Sequence, residues 1–362
     1  MTPEQYMALA LSEARKGMGF VSPNPMVGAV IVKDGCIISK GYHERYGEFH
    51  AERNAINRCT EDMHGAQIYV TLEPCCHTGK TPPCTQAIID SGISEVFVGS
   101  FDPNPLVAGK GTQILREHGI TVHEGVLREE CDKLNRIFFH YITSDTPYVI
   151  FKYAMTADGK IADCEGRSQW ISGEKSRADV QELRLMCSSI MAGINTLLKD
   201  DPMLTCRIND EHKLTRVICD SSLKIPLDCK IMKTAADVPT IIACTDDADM
   251  DKAEKIKAMG AEVIFTGPQG GHVDLRKLMK TLHGKKIDSV LLEGGGELAY
   301  SMLKEGLVNR VIGYISPKIL GGRAALSPVG GEGFNINTEE IKLSVPEITM
   351  TDSDIKAQWE VL

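Results

Sequence analysis

Three short stretches hold residues whose types and spacing can do chemistry: His50-Ala51-Glu52, Pro74-Cys75 and Pro83-Cys84. One imidazole and two thiolates supply three of the four ligands of a tetrahedral zinc and leave one position for water. An open position separates a catalytic zinc from a structural one, and the ion brings the pKa of its water from about 15.7 toward ~7–9. Glu52 follows the histidine too closely to be an obvious fourth ligand. It is placed to carry protons while an amine is hydrolysed off an amidine-like heterocycle. The expected assignment is Zn2+ on His50, Cys75 and Cys84, with Glu52 as the catalytic acid–base. Three other readings stand beside it: core cysteines, a structural site closed by Cys76, and His77 as a ligand. The proline before each cysteine and the upstream His-x-Glu count against the first. Adjacent side chains diverge, which counts against the second, and a ligand set already filled counts against the third.

Other polar residues gather around this motif. Asn24 lies between Pro23 and Pro25, and Asp102-Pro103-Asn104-Pro105 repeats the device. Proline fixes φ and so holds such a side chain in a defined pose, although two ordinary turns would read the same way. Thr78-Gly79-Lys80-Thr81 offers a cation beside the metal loop, too tightly spaced for a P-loop but suited to one phosphate. In the second half, Ser289–Glu293 reads as a strand running into Gly294-Gly295-Gly296 and then a helix. Backbone N–H groups at such a turn can meet a pyrophosphate. Gly294-x-Gly296-x-x-Ala299 matches the looser dinucleotide fingerprint. The acidic residue usual about twenty positions on is missing, which favours NADP over NAD. Lys152 and Glu293 end predicted strands, from where both can point into one cleft.

The elements that must position these groups alternate between strand and helix. Thr2 caps a first helix, with Pro3 in its first turn and Gln5 completing a capping box. Strands are expected at 27–32, 36–39, 68–71, 96–98 and 120–122, and helices at 51–58, 85–90, 111–118 and 129–141. The polar run Thr143 to Pro147 sets the boundary between a domain of residues 1–145 and one of 146–362. Beyond it, strands are expected at 148–152, 190–192, 217–219, 240–243, 263–265, 289–292 and 311–315, with helices at 174–185, 251–259 and 297–304. Both halves are therefore α/β layered domains.

Composition bounds the function. With 362 residues, two domains fit comfortably. A net charge of −9 argues against a nucleic-acid surface but leaves room for a small anionic substrate held by local cations. Twelve cysteines spread along the chain without a signal peptide suit reduced thiols, and no apolar run approaches a membrane span. A cytoplasmic protein without membrane or nucleic-acid partners is expected, and an α/β enzyme of this size is expected to form a homo-oligomer.

At this point the residues resemble a known family. His50-Ala51-Glu52, Thr71-Leu72-Glu73-Pro74-Cys75, Gly79-Lys80-Thr81-Pro82-Pro83-Cys84 and Asp102-Pro103-Asn104-Pro105 look like the deaminase half of bifunctional riboflavin-biosynthesis proteins. Asp158-Gly159-Lys160-Ile161-Ala162, Asp201-Pro202-x-Leu204-Thr205-x-Arg207 and Glu293-Gly294-Gly295-Gly296 look like the reductase half. The resemblance implies a cytidine-deaminase-like three-layer domain followed by a dihydrofolate-reductase-like α/β domain. It implies hydrolytic loss of the 2-amino group from 2,5-diamino-6-ribosylamino-4(3H)-pyrimidinone 5′-phosphate, then reduction of the ribosyl group to ribityl with NADPH. Asn24, His43, His77, Lys80, Asp102 and Asn104 would bind the first substrate, with Lys80 on its phosphate. In the second domain Lys152 would reach the opening ribose oxygen, and Arg184 and Arg207 would clamp the phosphate. Ser168, Leu204 and Glu293 would join them on the substrate side. Ala154, Trp170, Ser172, Thr196, Asp200, Ser222 and the turn Gly295, Gly296, Glu297, Leu298, Ala299, Tyr300 and Ser301 would hold the cofactor. Two rival readings remain: a nucleoside, nucleotide or tRNA deaminase with an accessory domain, and a zinc-stapled nucleotide sensor in which Glu52 is idle.

Overall fold

The computed structural model describes residues 1–76, 82–104 and 107–362. The chain forms two compact units, Met1–Ser144 and Asp145–Leu362.

The first unit runs α1 (Pro3–Ala14), β1 (Gly28–Lys33), β2 (Cys36–Tyr42), α2 (Ala51–Arg58), β3 (Gln67–Leu72), α3 (Cys84–Asp90), β4 (Glu95–Ser100), α4 (Lys110–Glu117), β5 (Thr121–Glu124), α5 (Arg128–Leu134) and α6 (Arg136–Thr143). Thr2 and Gln5 close the capping box at the start of α1. The sheet order is β2-β1-β3-β4-β5; β1 is antiparallel to β2 and β3, and the β3, β4, β5 side is parallel. Side chains alternate across a strand, and here the alternation builds three layers. Ala29, Ile31, Ile68, Val70, Val96 and Val98 pack with Ala51 and Ala55 of α2, Ile88 of α3 and Leu115 of α4. Val30, Val32, Tyr69 and Phe97 pack with Tyr6, Met7 and Ala10 of α1 and Cys131 and Leu134 of α5. The helix expected over 129–141 is two helices. Asn135 breaks it, because its amide is turned onto the backbone of Met26, accepting from the Met26 N–H at 2.8 Å and donating to its carbonyl at 2.9 Å.

The second unit runs β6 (Tyr148–Thr156), α7 (Glu174–Met186), β7 (Ser189–Gly193), α8 (Ile194–Asp200), β8 (Thr215–Cys219), α9 (Lys230–Lys233), β9 (Thr240–Cys244), α10 (Met250–Ala258), β10 (Glu262–Phe265), β11 (Pro268–Gln269), β12 (His272–Val273), α11 (Leu275–Gly284), β13 (Ser289–Glu293), α12 (Gly296–Lys304), β14 (Arg310–Ser316), β15 (Glu347–Thr351) and β16 (Asp354–Glu360). Its main sheet has the order β10-β9-β8-β7-β13-β6-β14-β16-β15, parallel from β10 to β14 with an antiparallel hairpin at the end. One face carries Val149, Phe151, Met191, Val217, Val290 and Leu292 against α11 and α12. Ile150, Ile190, Ile218 and Leu291 alternate with them and are fully buried as well. The seven strands expected in this half are all present. The β15–β16 hairpin was not expected: its turn is Asp352-Ser353, with Asp352 at φ +60°, where the usual hairpin signal has glycine. No helix among the described residues is long and apolar enough to cross a membrane.

Candidate functional site

In the first unit, the carboxyl end of β3 and the amino ends of α2 and α3 meet. His50 is the N-cap of α2, Cys84 is the first residue of α3, and Cys75 lies three residues beyond β3. The His50 Nδ1 sits 3.5 Å from both sulfurs, and the three donor atoms lie within 4.8 Å of one another. Bonds of ~2.3 Å to sulfur and ~2.1 Å to nitrogen at tetrahedral angles require an N···S separation of about 3.6 Å. The donor set therefore fits zinc. Cys76 is not part of the group, so the closed-site reading loses its fourth ligand.

Electrostatics support a cation here. Cys75 is brought down to about 4 by its hydrogen bond with Cys84, against the pull of burial and with help from His50. Cys84 is pushed well up by the same bond and by burial. The pair thus carries one negative charge by itself, and a bound cation would take the second proton off. Glu52, in the first turn of α2, is 3% exposed, and its Oε2 has no hydrogen-bond partner. Burial, reinforced by the Cys75 thiolate, pushes its carboxyl up to about 7. A buried carboxyl with an orphaned oxygen beside three metal donors is equipped to pass protons.

His43 is buried with its ring edge-on to His50 at 5.3 Å. Its Nδ1 lies 3.0 Å from the Phe49 carbonyl and its Nε2 lies 3.2 Å from the Asn24 amide nitrogen. Burial keeps it neutral, so it donates to the carbonyl and accepts from Asn24. The structure thus brings Asn24 and His43 to the metal donors. Asp102 accepts from the Asn104 N–H at 2.9 Å, which fixes that turn. His77 and Lys80 lie outside the described residues.

Glu73 was not singled out as a functional residue by sequence reasoning. It is buried, and its carboxylate accepts from the N–H groups of Gly109, Gly111 and Thr112 at 3.0, 3.0 and 3.4 Å. It therefore ties the base of the cysteine loop to the amino end of α4. The only sequence signal was its place two residues before Cys75.

In the second unit, β13 and β6 run parallel with Glu293 in register with Lys152. Glu293 accepts from Lys152 Nζ at 3.2 Å and from Arg184 Nε and Nη2 at 3.0 and 3.1 Å. Burial would raise this carboxyl, but the two cations hold it at about 2. Arg184 also donates to the Thr205 carbonyl at 2.8 Å, so much of its guanidinium faces inward rather than toward a phosphate. Arg207 is exposed, and Leu204 is buried with φ at +49°. Ala154 continues β6. Ser168 is half-buried, and Trp170 is exposed under the Arg177 guanidinium at 4.5 Å. The Ser172 carbonyl accepts from Arg177. Thr196 abuts the glycine turn, while Asp200 and Ser222 are exposed. Gly294 and Gly295 both have positive φ, and α12 starts at Gly296 with no side chain capping it. Along that helix Glu297 accepts from the Gly331 N–H, Leu298 is half-buried, and Ser301 bonds back to the Glu297 carbonyl. The side chains of Ala299 and Tyr300 are buried, Ala299 within the core cluster and the Tyr300 ring 4.9 Å from Phe334, so they offer a ligand little but backbone.

Comparison with known proteins settles the family. Residues 1–100 match the family model described as "Cytidine and deoxycytidylate deaminase zinc-binding region", and residues 147–357 match "RibD C-terminal domain". The "Riboflavin biosynthesis protein RibD" of Actinobacillus pleuropneumoniae is 49% identical over 362 residues, covering 100% of this chain and 96% of the relative. The chain belongs to the RibD family of riboflavin biosynthesis proteins. The Escherichia coli member is 38% identical over 337 residues, 90% of each chain. Among solved structures, a diaminohydroxyphosphoribosylaminopyrimidine deaminase/5-amino-6-(5-phosphoribosylamino)uracil reductase of Thermotoga maritima is 38% identical, with 99% of both chains covered and a TM-score of 0.86. RibD of Acinetobacter baumannii is 33% identical with the same coverage and TM-score. The protein is accordingly a bifunctional enzyme of riboflavin biosynthesis, a zinc deaminase domain followed by a reductase domain.

Proposed function

We propose that the first domain removes the 2-amino group of 2,5-diamino-6-ribosylamino-4(3H)-pyrimidinone 5′-phosphate, and that the second reduces the ribosyl group of the resulting uracil phosphate to ribityl with NADPH. The observation that carries the first step is Glu52, a buried carboxyl with an unpartnered oxygen beside three donors of zinc-binding geometry. His50, Cys75 and Cys84 would hold the ion, which when bound would supply the Lewis acidity that makes water a nucleophile at neutral pH. Glu52, pushed up to about 7, exchanges protons readily near neutrality. It takes a proton from the attacking water and returns protons to the ring nitrogen and the departing amine. Asn24 and His43 form a fixed polar wall for the substrate, with Asp102, Asn104, His77 and Lys80 as further contacts, Lys80 on the phosphate.

In the second domain, Gly295 to Ser301, Thr196, Asp200, Ser222, Ala154, Trp170 and Ser172 would hold NADPH, which supplies the hydride. The uncapped amino end of α12 behind two glycines of positive φ suits a pyrophosphate. Lys152, anchored by Glu293, hydrogen-bonds the ribose oxygen, with Ser168, Leu204, Arg184 and Arg207 on the substrate side. Hydride transfer then needs chiefly close placement of the two carbons. The net charge of −9 supports small-molecule rather than nucleic-acid partners. A cytoplasmic setting and self-association complete the reading.

The test is incubation of the purified chain with the diaminopyrimidinone phosphate, with and without NADPH, followed by mass spectrometry. The expected result is exchange of an amine for an oxo group without NADPH, and a further gain of two hydrogens with it. Ammonia release from cytidine or RNA but not from this phosphate would overturn the substrate reading.

A further inference from the structure

In an open α/β sheet a dinucleotide lies where neighbouring strands send their connections in opposite directions. In the second domain that place is between β7 and β13. The chain leaves β7 toward β8, and leaves β13 for β14 on the far side of β6. Thr196 and the glycine turn face each other there: a methyl group on Gly294 would come within 3.0 Å of the Thr196 Oγ1. A dinucleotide whose pyrophosphate rests at this turn extends its adenosine toward the next strand end, that of β8, one ~4.8 Å step beyond β7.

The chain after β8 reads Asp220-Ser221-Ser222-Leu223-Lys224-Ile225. An acidic side chain at an adenosine ribose receives its diol, whereas a cation receives a phosphate. Asp220 is the acid in range, but it is fully buried and both its oxygens are taken, by the N–H groups of Lys224 at 2.8 Å and Ile225 at 2.7 Å. Leu223 turns the chain at φ +53°, and Leu223 and Ile225 go inward, 1% and 0% exposed. Ser222 and Lys224 are left outside. The turn thus withdraws its carboxylate and presents a hydroxyl and an ammonium.

We propose that Lys224 selects NADPH over NADH by meeting the phosphate on the adenosine ribose. The inference rests on the reductase reading above and adds to it a specificity-determining residue. It is tested in the full chain with Lys224→Glu, Lys224→Ala and Lys224→Arg, measuring KM for NADPH and for NADH with the deaminated substrate. Calorimetry with 2′,5′-ADP and 5′-AMP gives the binding preference without turnover. The expected result for Lys224→Glu is a rise of about tenfold or more in the NADPH KM with the NADH KM nearly unchanged, the scale of one charge-assisted contact. Lys224→Ala should behave likewise, Lys224→Arg should keep the preference, and tighter binding of 2′,5′-ADP than 5′-AMP should vanish in Lys224→Glu. An unchanged NADPH/NADH ratio, whether both constants hold or rise together, overturns the proposal. If the unaltered enzyme oxidises neither nucleotide, the reductase reading fails instead. The two adenosine phosphates then decide Lys224 alone: equal affinity for both, or a preference that survives Lys224→Glu, overturns it.

Discussion

Replacing Glu293 by glutamine tests the electrostatic core of the reductase domain. The carboxylate joins three elements: its own strand β13, Lys152 on β6 and Arg184 on α7. Glutamine keeps the shape but turns one acceptor into a donor, and it leaves two largely buried cations without a counter-charge. Breaking one member of a buried ion group typically costs about 3–5 kcal/mol. The pH dependence gives an independent measure. A carboxyl held at about 2 when folded, against an ordinary 4.5, contributes about 3 kcal/mol at pH 7, at ~1.4 kcal/mol per tenfold change in proton affinity. Because the folded value is depressed, this stabilisation is fully present above 4.5 and is lost as the pH falls toward 2. The wild type's advantage over Glu293→Gln should therefore narrow by about 1 kcal/mol from pH 7 to pH 4 and by about 2 kcal/mol by pH 3. Urea unfolding of the full chain followed by tryptophan fluorescence is suited to this. The chain has two tryptophans, Trp170 and Trp359, both in the second unit. A stability difference that stays constant from pH 7 to pH 3 would refute the reasoning.

Other substitutions probe the first domain. Glu52→Gln should abolish ammonia release while zinc, measured by plasma emission, stays bound; ammonia release at the wild-type rate without the carboxyl would remove Glu52 from the proton transfers. Cys84→Ser should lower zinc affinity and, with it, thermal stability, read as a fall in Tm that added zinc only partly restores. Gly111→Ala should cost about 1–3 kcal/mol in chemical denaturation, because a methyl group there would lie 2.1 Å from the Pro74 carbonyl oxygen. Thr2→Ala should cost about 1 kcal/mol or less in the same assay, since it removes one half of an exposed capping box.

The sequence made the metal donors legible because histidine, cysteine and glutamate at short spacing announce their chemistry without knowledge of the fold. The strands were legible for a related reason, since runs such as Val27 to Val32 are too apolar to lie anywhere but inside a sheet. The groups that hold the sites in place were not legible. Glu73 acts through the backbone of α4, thirty-six residues away at the nearest bond, and an isolated glutamate carries no sign of such a partner. Arg184 looked like a phosphate ligand by charge, yet the structure turns it onto Glu293 and a carbonyl. Arg216 is more extreme: fully buried, it donates to Thr234, Thr240 and the backbone carbonyls of Ile231 and Val238. Asn135 splits a helix that periodicity carries straight through, because its amide finds Met26, 109 residues earlier. In each case a long-range polar bond overrides what local pattern suggests.

The deaminase chemistry depends most on a zinc ion with three protein ligands and one open position beside Glu52. X-ray absorption at the zinc edge of the fully loaded wild-type enzyme measures this directly. The expected shell is two sulfurs, one imidazole nitrogen and one light ligand that the protein does not supply. A third sulfur at about 2.3 Å, or an active enzyme that binds no zinc, would contradict it.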